Sequence, residues 1–261
     1  MGIVNVTPDS FSDGGQFADA DAAVAHALRL VSEGADIVDV GGESTRPGAR
    51  PVDADEEADR VLPVIRAVRA RFEGPISIDT RKAEIARGAV EAGADIVNDV
   101  SALSADPRMA DVARESGAGV VLMHMRGTPE TMQERPEYDR VVEDVAAYLT
   151  QRMRALSDAG LDPENLCVDP GIGFGKTLEH NLALLRGIPQ LSRLDRPVMI
   201  GLSRKSFLGA LTGREVDERV AANLAAMSYC VMKGAHVMRV HDVKASVDAR
   251  RVLMALAAKG D

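Results

Sequence analysis

Strict alternation of short apolar runs with helix-period segments, an internal phrase repeated four times and a length of 261 residues predict an α/β fold: a single (β/α)8 TIM barrel with parallel strands. The repeated phrase is Gly-Ala, one variable residue, then two or three apolar residues leading to a polar one. It occurs at 34–39, 93–98, 117–124 and 234–239, each time after a helix-like stretch, and so predicts a helix stop followed by a strand. Length alone suits two small domains equally well. No low-complexity linker or break in composition divides the chain, which favours one domain over 1–261.

The first strand is Gly-Ile-Val-Asn-Val at 2–6, followed by a loop at 7–17 rich in Ser, Asp, Gly and Pro and by helix-period residues at 20–33. The second run, 34–39, leads into a loop at 41–51 with glycine and proline turns and Arg46 and Arg50, then a helix at 55–72. Strand three is Pro-Ile-Ser-Ile-Asp at 75–79, with its helix at 83–92; strands four and five are the repeats at 93–98 and 117–124, with helices at 107–116 and 138–159. Leu-Cys-Val-Asp at 166–169 and Pro-Val-Met-Ile-Gly at 197–201 are strands six and seven, and a helix at 217–233 precedes strand eight at 234–239. A last helix, 243–258, closes the set. These runs are apolar without alternation, as parallel strands covered on both faces are, and the unbroken β/α order favours a barrel over a doubly wound open sheet.

A net charge of −9 excludes the basic face that nucleic acid or an anionic membrane surface requires. No run approaches the roughly 18 apolar residues of a membrane helix, and no basic-then-apolar leader opens the chain, so a soluble, cytoplasmic protein is expected. Cys167 and Cys230 each lie inside an apolar run, which predicts buried thiols in a reducing compartment and no disulfide.

In such a barrel Asn5, Asp39, Asp79, Asn98, His124, Asp169, Ser203 and Arg239 fall at or just past the carboxyl ends of the strands, where this fold builds its sites. Each alone is accounted for as a helix cap or turn residue; together they form a ring. Asp79 and Asn98 belong to apolar runs, where an unpaired polar group costs about 1–3 kcal/mol, so they need a partner or a ligand. Two carboxylates and an amide suit a flat heterocycle with an amidine-like edge, a purine or a pterin. A metal held by those carboxylates is the weaker alternative, because no His or Glu cluster stands at ligand spacing. Ser203, Arg204 and Lys205 follow strand seven, and Arg239 and His241 end strand eight; loops in these places hold phosphate in many barrels. With aromatics at 3% and no tryptophan, a planar ligand is expected to stack on a guanidinium or on Phe174. The stretch Asp-Pro-Gly-Ile-Gly-Phe-Gly-Lys at 169–176 lacks the spacing of a nucleotide-binding loop, and His26, His180 and His236 read as structural.

Taken together the segments resemble the dihydropteroate synthase family, a pterin-binding TIM-barrel family, over nearly the whole chain. Two long phrases carry the resemblance: Asn-Val-Thr-Pro-Asp-Ser-Phe-Ser-Asp-Gly-Gly at 5–15, and Gly-Ala-Asp-Ile-Val-Asp-Val-Gly-Gly-Glu-Ser-Thr-Arg-Pro-Gly at 34–48. Shorter ones stand at 78–81, 98–100, 122–125, 169–176, 203–206 and 239–243. The resemblance implies condensation of p-aminobenzoate with 6-hydroxymethyl-7,8-dihydropterin pyrophosphate. It implies that Asp79, Asn98 and Asp169 bind the pterin edge, Lys205 donates to its ring, and Met123, Phe174 and Arg239 pack against it. Asn5, Arg239 and His241 are then expected to hold the pyrophosphate with Mg2+, with Asn5 the metal ligand. Phe11, Thr45, Arg46, Pro47, Ser203 and Lys205 are expected to shape the p-aminobenzoate site, where sulfonamides compete. Catalysis is expected to fall to Asp79, Lys205, Arg239 and His241, and a homodimer through the later helices is implied, with Met227, Val231 and Met232 as apolar candidates. Family members carry a short lead-in before the first strand, whereas Met1 directly precedes Gly2; either a plug below the barrel is missing or the start lies upstream.

A pterin-binding methyltransferase acting on methyltetrahydrofolate shares the Asp/Asn/Asp ring but has no use for Ser203, Arg204, Lys205, Arg239 and His241 as a set. A catalytically silent paralogue is expected to have lost part of the anion site or of the two loops, and no such loss is visible.

Overall fold

The computed structural model describes residues 1–7, 15–45, 48–134 and 136–258, without the side chains of 15–19. The strands are β1 (Gly2–Asn5), β2 (Val38–Gly41), β3 (Ile76–Asp79), β4 (Ile96–Asp99), β5 (Gly119–Met123), β6 (Leu166–Asp169), β7 (Met199–Gly201) and β8 (Val237–Arg239). Between and after them run α1 (Gly15–Ser32), α2 (Ala54–Arg69), α3 (Ala83–Glu91), α4 (Met109–Ser116), α5 (Val141–Asp158), α6 (Leu178–Arg186), α7 (Ile188–Leu191), α8 (Ser206–Thr212), α9 (Val220–Met232) and α10 (Val243–Ala257).

β1 to β6 pair in sequence order, all parallel, and β7 pairs with β8. Parallel bridges Val168↔Val198 and Gly2↔Val240 join the two pieces, with Val168 N donating to Pro197 O and Ile3 N to Val240 O. The sheet thereby closes on itself as the expected barrel, which leaves no sheet edge exposed.

The repeated Gly-Ala phrase is a helix terminator. Gly34, Gly93 and Gly234 have φ of 99°, 111° and 101°, and the alanine after each bonds five residues back: Ala35 N to Leu30 O, Ala94 N to Ala89 O, Ala235 N to Cys230 O. That is the 6→1 bond of a Schellman cap, which needs a residue in the left-handed region just past the helix. Because these residues cap helices, β2, β4, β5 and β8 are shorter than the sequence runs suggested.

Two apolar clusters line the two faces of the barrel wall. Val4, Val38, Val40, Ile78, Val97, Leu122, Val168 and Ile200 belong to the large core under the helices. Met1, Val121 and Met199, with Ile37, Ile96, Cys167 and Val237 against them, form the separate cluster inside the barrel. The period-two alternation of a strand therefore decides each side chain's address. Inward-facing residues are apolar at the amino ends of the strands and polar at the carboxyl ends, and this polar layer is the candidate site.

Candidate active site

Asp79, Asn98, Asp169 and Arg239 share the inward parity of the barrel cluster and lie at or next to the carboxyl ends of their strands; Asp39, expected at the end of β2, is instead its second residue, inward but one step lower and level with Ser77. Arg239 organises this layer: its Nε donates to Asp39 Oδ2 at 2.6 Å and its Nη2 to Asp79 Oδ2 at 2.7 Å. Asn98 Nδ2 reaches the same Asp39 oxygen at 3.5 Å, while Asp39 Oδ1 and the hydroxyl of Ser77, in register beside it, have no partner among the described residues. One guanidinium thus faces two buried carboxylates. Burial raises the Asp79 carboxyl above the ordinary range; Arg239 opposes this, and the neighbouring Asp39 charge adds to it. Burial works against the charge of Arg239 itself, but Asp39 and then Asp79 more than offset that and hold it above its ordinary value.

Asp169 ends β6, buried, with Oδ1 accepting from Gly171 N at 2.7 Å. Burial raises its pKa, with Lys205 the main opposing charge. Burial likewise pushes the Lys205 ammonium down to about 8, opposed by Asp169. Lys205 donates to Ile172 O and stands 4.8 Å above the Phe174 ring. Met123, on the strand next to Asp169 and in register with it, completes this wall. This end of the barrel thus offers acceptors (Asp79, Asp169), a mixed amide (Asn98), a donor (Lys205) and a ring face (Phe174), a set that suits a flat polar heterocycle.

Beside it, Ser203 Oγ accepts from His241 N at 3.2 Å and lies 2.9 Å from His241 Nδ1. This joins the loops after β7 and β8, next to Arg239, where an anion finds a guanidinium, an imidazole and a hydroxyl together. Asn5 ends β1 on the inward side, half-buried. Thr45 is half-buried beyond β2. Phe11, Arg46 and Pro47, expected at the p-aminobenzoate site, lie outside the described residues.

One member of the expected ring is not in it. His124 follows Met123 and so takes the opposite parity: its ring packs edge-on against Tyr148 of α5 at 4.9 Å, and its Nδ1 meets Lys176 Nζ at 3.1 Å. Burial first, then Lys176, push its pKa down to about 3, so it is a neutral residue of the helix layer. His180 pairs with Thr177 in a capping box that starts α6, and His236 Nδ1 accepts from Val198 N, so both are structural as expected. Met227, a candidate for a contact surface, is core, whereas Met232 is 77% exposed.

Several contributors lie in or beside the family phrases but have no role assigned by sequence alone. Glu43, at the root of the loop after β2, accepts from Arg81, from Lys82 Nζ at 2.6 Å and from Val52 N at 3.0 Å, and Lys82 also reaches the buried Glu57. Desolvation raises the Glu43 pKa, but these bonds, from Lys82 foremost, outweigh it and leave it lowered. Lys176 is buried among His124 and Phe174 carbonyl oxygens, and burial takes its ammonium down to about 7. Only the Gly-Gly-Glu and Thr-Arg-Lys phrases hinted at the first cluster.

Gly171 and Gly117 both have φ of 68°, so an alanine is strained at either. A Cβ at Gly117 meets open space, whereas one at Gly171 collides with the His124 carbonyl oxygen. Gly117→Ala is therefore expected to cost about 1 kcal/mol and Gly171→Ala at least about 2 kcal/mol more. Equal shifts in denaturant unfolding would show that the His124 contact does not constrain the loop.

Similarity to known proteins agrees with this geometry. The family model described as "Pterin binding enzyme" matches residues 1–241. The chain is 48% identical over 255 residues to the dihydropteroate synthase of Escherichia coli K12, covering 98% of this chain and 90% of that one. Among solved structures, the Xanthomonas albilineans dihydropteroate synthase with 4-aminobenzoic acid superposes with a TM-score of 0.94 at 50% identity, covering 100% of this chain and 93% of that one. The Yersinia pestis dihydropteroate synthase in a sulfonamide drug complex gives 0.93 at 42% identity, covering 98% and 93%.

Proposed function

Because the chain belongs to the dihydropteroate synthase family of pterin-binding enzymes, we propose that its polar layer holds the pterin and that the Ser203–His241–Arg239 corner receives the departing pyrophosphate. The protein is a transferase that condenses p-aminobenzoate with 6-hydroxymethyl-7,8-dihydropterin pyrophosphate, giving 7,8-dihydropteroate and pyrophosphate. The observation that carries the assignment of residues is the shared inward parity of Asp79, Asn98, Asp169 and Arg239 at the rim of one barrel.

Asp169 and Asn98 bind the amidine-like edge of the pterin, Asp79 completes that edge, and Lys205 donates to the ring from above Phe174. Pyrophosphate leaves from a methylene conjugated to the pterin, so positive charge spreads into the heterocycle and negative charge collects on the leaving oxygens. The arylamine of p-aminobenzoate then attacks the methylene. No protein nucleophile is needed; fixed charge is, and Arg239 and His241 supply it to the leaving group while the carboxylates face the cation. Thr45, Arg46, Pro47, Phe11, Ser203 and Lys205 shape the p-aminobenzoate subsite, with Ser203 toward its carboxylate, and sulfonamides compete there.

Mg2+ fits as a partner of the pyrophosphate. Among the described residues no three His, Cys, Asp or Glu side chains gather as a metal cage, but Mg2+ takes few protein ligands and keeps phosphate and water oxygens. Asn5, an inward-side amide at the end of β1, would hold it, and the ion would neutralise charge building on the leaving group. The same family reading makes 1–261 one domain and the protein a cytoplasmic homodimer. Its cysteines are free, no helix among the described residues is long and apolar enough to cross a membrane, and Tyr229, Met232, Val252, Met254 and Leu256 expose an apolar face on α9 and α10.

Purified protein given both substrates and Mg2+ is expected to release pyrophosphate and dihydropteroate, with sulfonamides raising the KM for p-aminobenzoate alone. A protein that binds pterin but releases neither product is the silent paralogue, and the catalytic assignment fails.

A further inference from the structure

The 169–176 loop carries Phe174 and the carbonyl that anchors Lys205, yet of its own side chains only Asp169, on Gly171 N, and Lys176, on Phe174 O, hold its backbone. Gly171, Gly173 and Gly175 all have positive φ, and glycine loses more freedom on ordering than any other residue. Four further backbone groups, at Ile172, Gly173 and Gly175, are taken by side chains from outside the loop. Ile172 O accepts from Lys205, and Gly173 N donates to Asn181 Oδ1 of α6 at 2.7 Å. Gly173 O accepts from Gln133 Nε2 at 2.7 Å, and Gly175 O from Tyr138 OH at 2.9 Å, both from the segment between β5 and α5. Phe174 O accepts from Lys176 Nζ at 2.8 Å. Asn181 is buried, and its Nδ2 is fixed in turn by Thr177 O at 2.8 Å.

We propose that Asn181 and Gln133 are positioning residues for pterin binding: they clamp Gly173 from opposite sides and so set Phe174 and Lys205 before substrate arrives. The inference rests on the assignment of Asp169, Phe174 and Lys205 to the pterin pocket. Neither residue touches the reacting atoms. Both act by removing the ordering cost that a loop of alternate glycines otherwise imposes on binding. The effect falls mainly on the pterin, because Phe174 is assigned to it alone, and reaches p-aminobenzoate only through Lys205, which is assigned to both subsites.

The test compares Gln133→Leu, Asn181→Leu and Asn181→Asp with the parent protein in steady-state kinetics and thermal melting. Gln133 is exposed, so its replacement leaves the core intact. Asn181→Asp keeps the acceptor for Gly173 N while losing the bond to Thr177 O, which separates holding the loop from stabilising α6. Gln133→Leu and Asn181→Leu are expected to raise the KM for the pterin pyrophosphate about fivefold to tenfold, and the KM for p-aminobenzoate by less than that. Asn181→Asp is expected to recover most of the Asn181→Leu loss. An unchanged pterin KM in both leucine variants overturns the inference, as does an Asn181→Asp variant as impaired as Asn181→Leu. Asp169→Asn, run alongside, separates the two levels. If it loses pterin binding while the leucine variants do not, only the clamp is wrong; if it too binds pterin normally, the pocket assignment falls with it.

Discussion

Asp169→Asn is expected to weaken binding of the pterin substrate by at least about 100-fold, or some 3 kcal/mol. One carboxylate oxygen is already committed to Gly171 N, so the other is the acceptor left for the ligand. An asparagine that keeps its oxygen on Gly171 must present an NH2 to the ligand's own N–H groups. One that flips breaks the loop. The change also removes the negative charge that offsets burial of Lys205, so the ammonium loses part of what keeps it protonated. Stability should move the other way: burial raises the Asp169 pKa, which means that the folded protein works against this charge. A neutral amide of the same shape is expected to melt at the same temperature or above. Titration calorimetry paired with a melting curve reads both, and unchanged pterin affinity would remove Asp169 from the site.

Much of this was legible in the sequence, because strand period and helix termination are local. Asp79, Asn98, Asp169 and Arg239 could be placed on one face once the apolar runs were recognised as strands, since each lies at the same end of its run. His124 was misplaced by a count of one. It follows a strand that ends at Met123, and period-two parity from the inward Val121 sends Met123 in and His124 out. Helices α6, α7 and α8 escaped notice for a different reason. α7 and α8 have four and seven residues, too few for a 3.6-residue period to show, and α6, nine residues like α3, runs through Gly187 straight into α7, which blurs its end. Glu43 and Lys176 lie inside phrases that carry the family resemblance, yet neither shows its role there, because Glu43 meets Lys82 and Lys176 meets His124 at 39 and 52 residues' separation, where only the folded barrel joins them. Asn181, whose partners are 4 and 8 residues away, stands in no phrase at all.

Arg239 shows where a role inferred from the leaving group alone falls short. Read as an anion ligand standing outside the core, it should tolerate removal with loss of turnover but little loss of stability. Its guanidinium is instead the countercharge of two buried carboxylates, and Nη1 takes part in neither of those bonds. Arg239→Ala is therefore expected to lose turnover by about 100-fold or more and also to lose about 3–5 kcal/mol of stability near pH 7, the usual cost of stranding a buried charge. The two losses part company with pH. Asp79 already has a raised pKa in the folded protein, with burial the main cause and Arg239 the main opposing influence. Without Arg239 the carboxyl rises further. Below that value the folded variant binds a proton that the unfolded chain, titrating near 4, has given up; stability therefore falls as pH climbs from about 4 through the folded pKa. The deficit of Arg239→Ala against the parent protein should be smallest near pH 5 and widen toward pH 8, whereas turnover should stay low throughout. Adding Asp79→Asn to Arg239→Ala should flatten that slope without restoring turnover. Urea unfolding of the parent and both variants at pH 5 and pH 8 decides it: a deficit independent of pH would mean that Arg239 stabilises the barrel by packing, not by holding two acids in check.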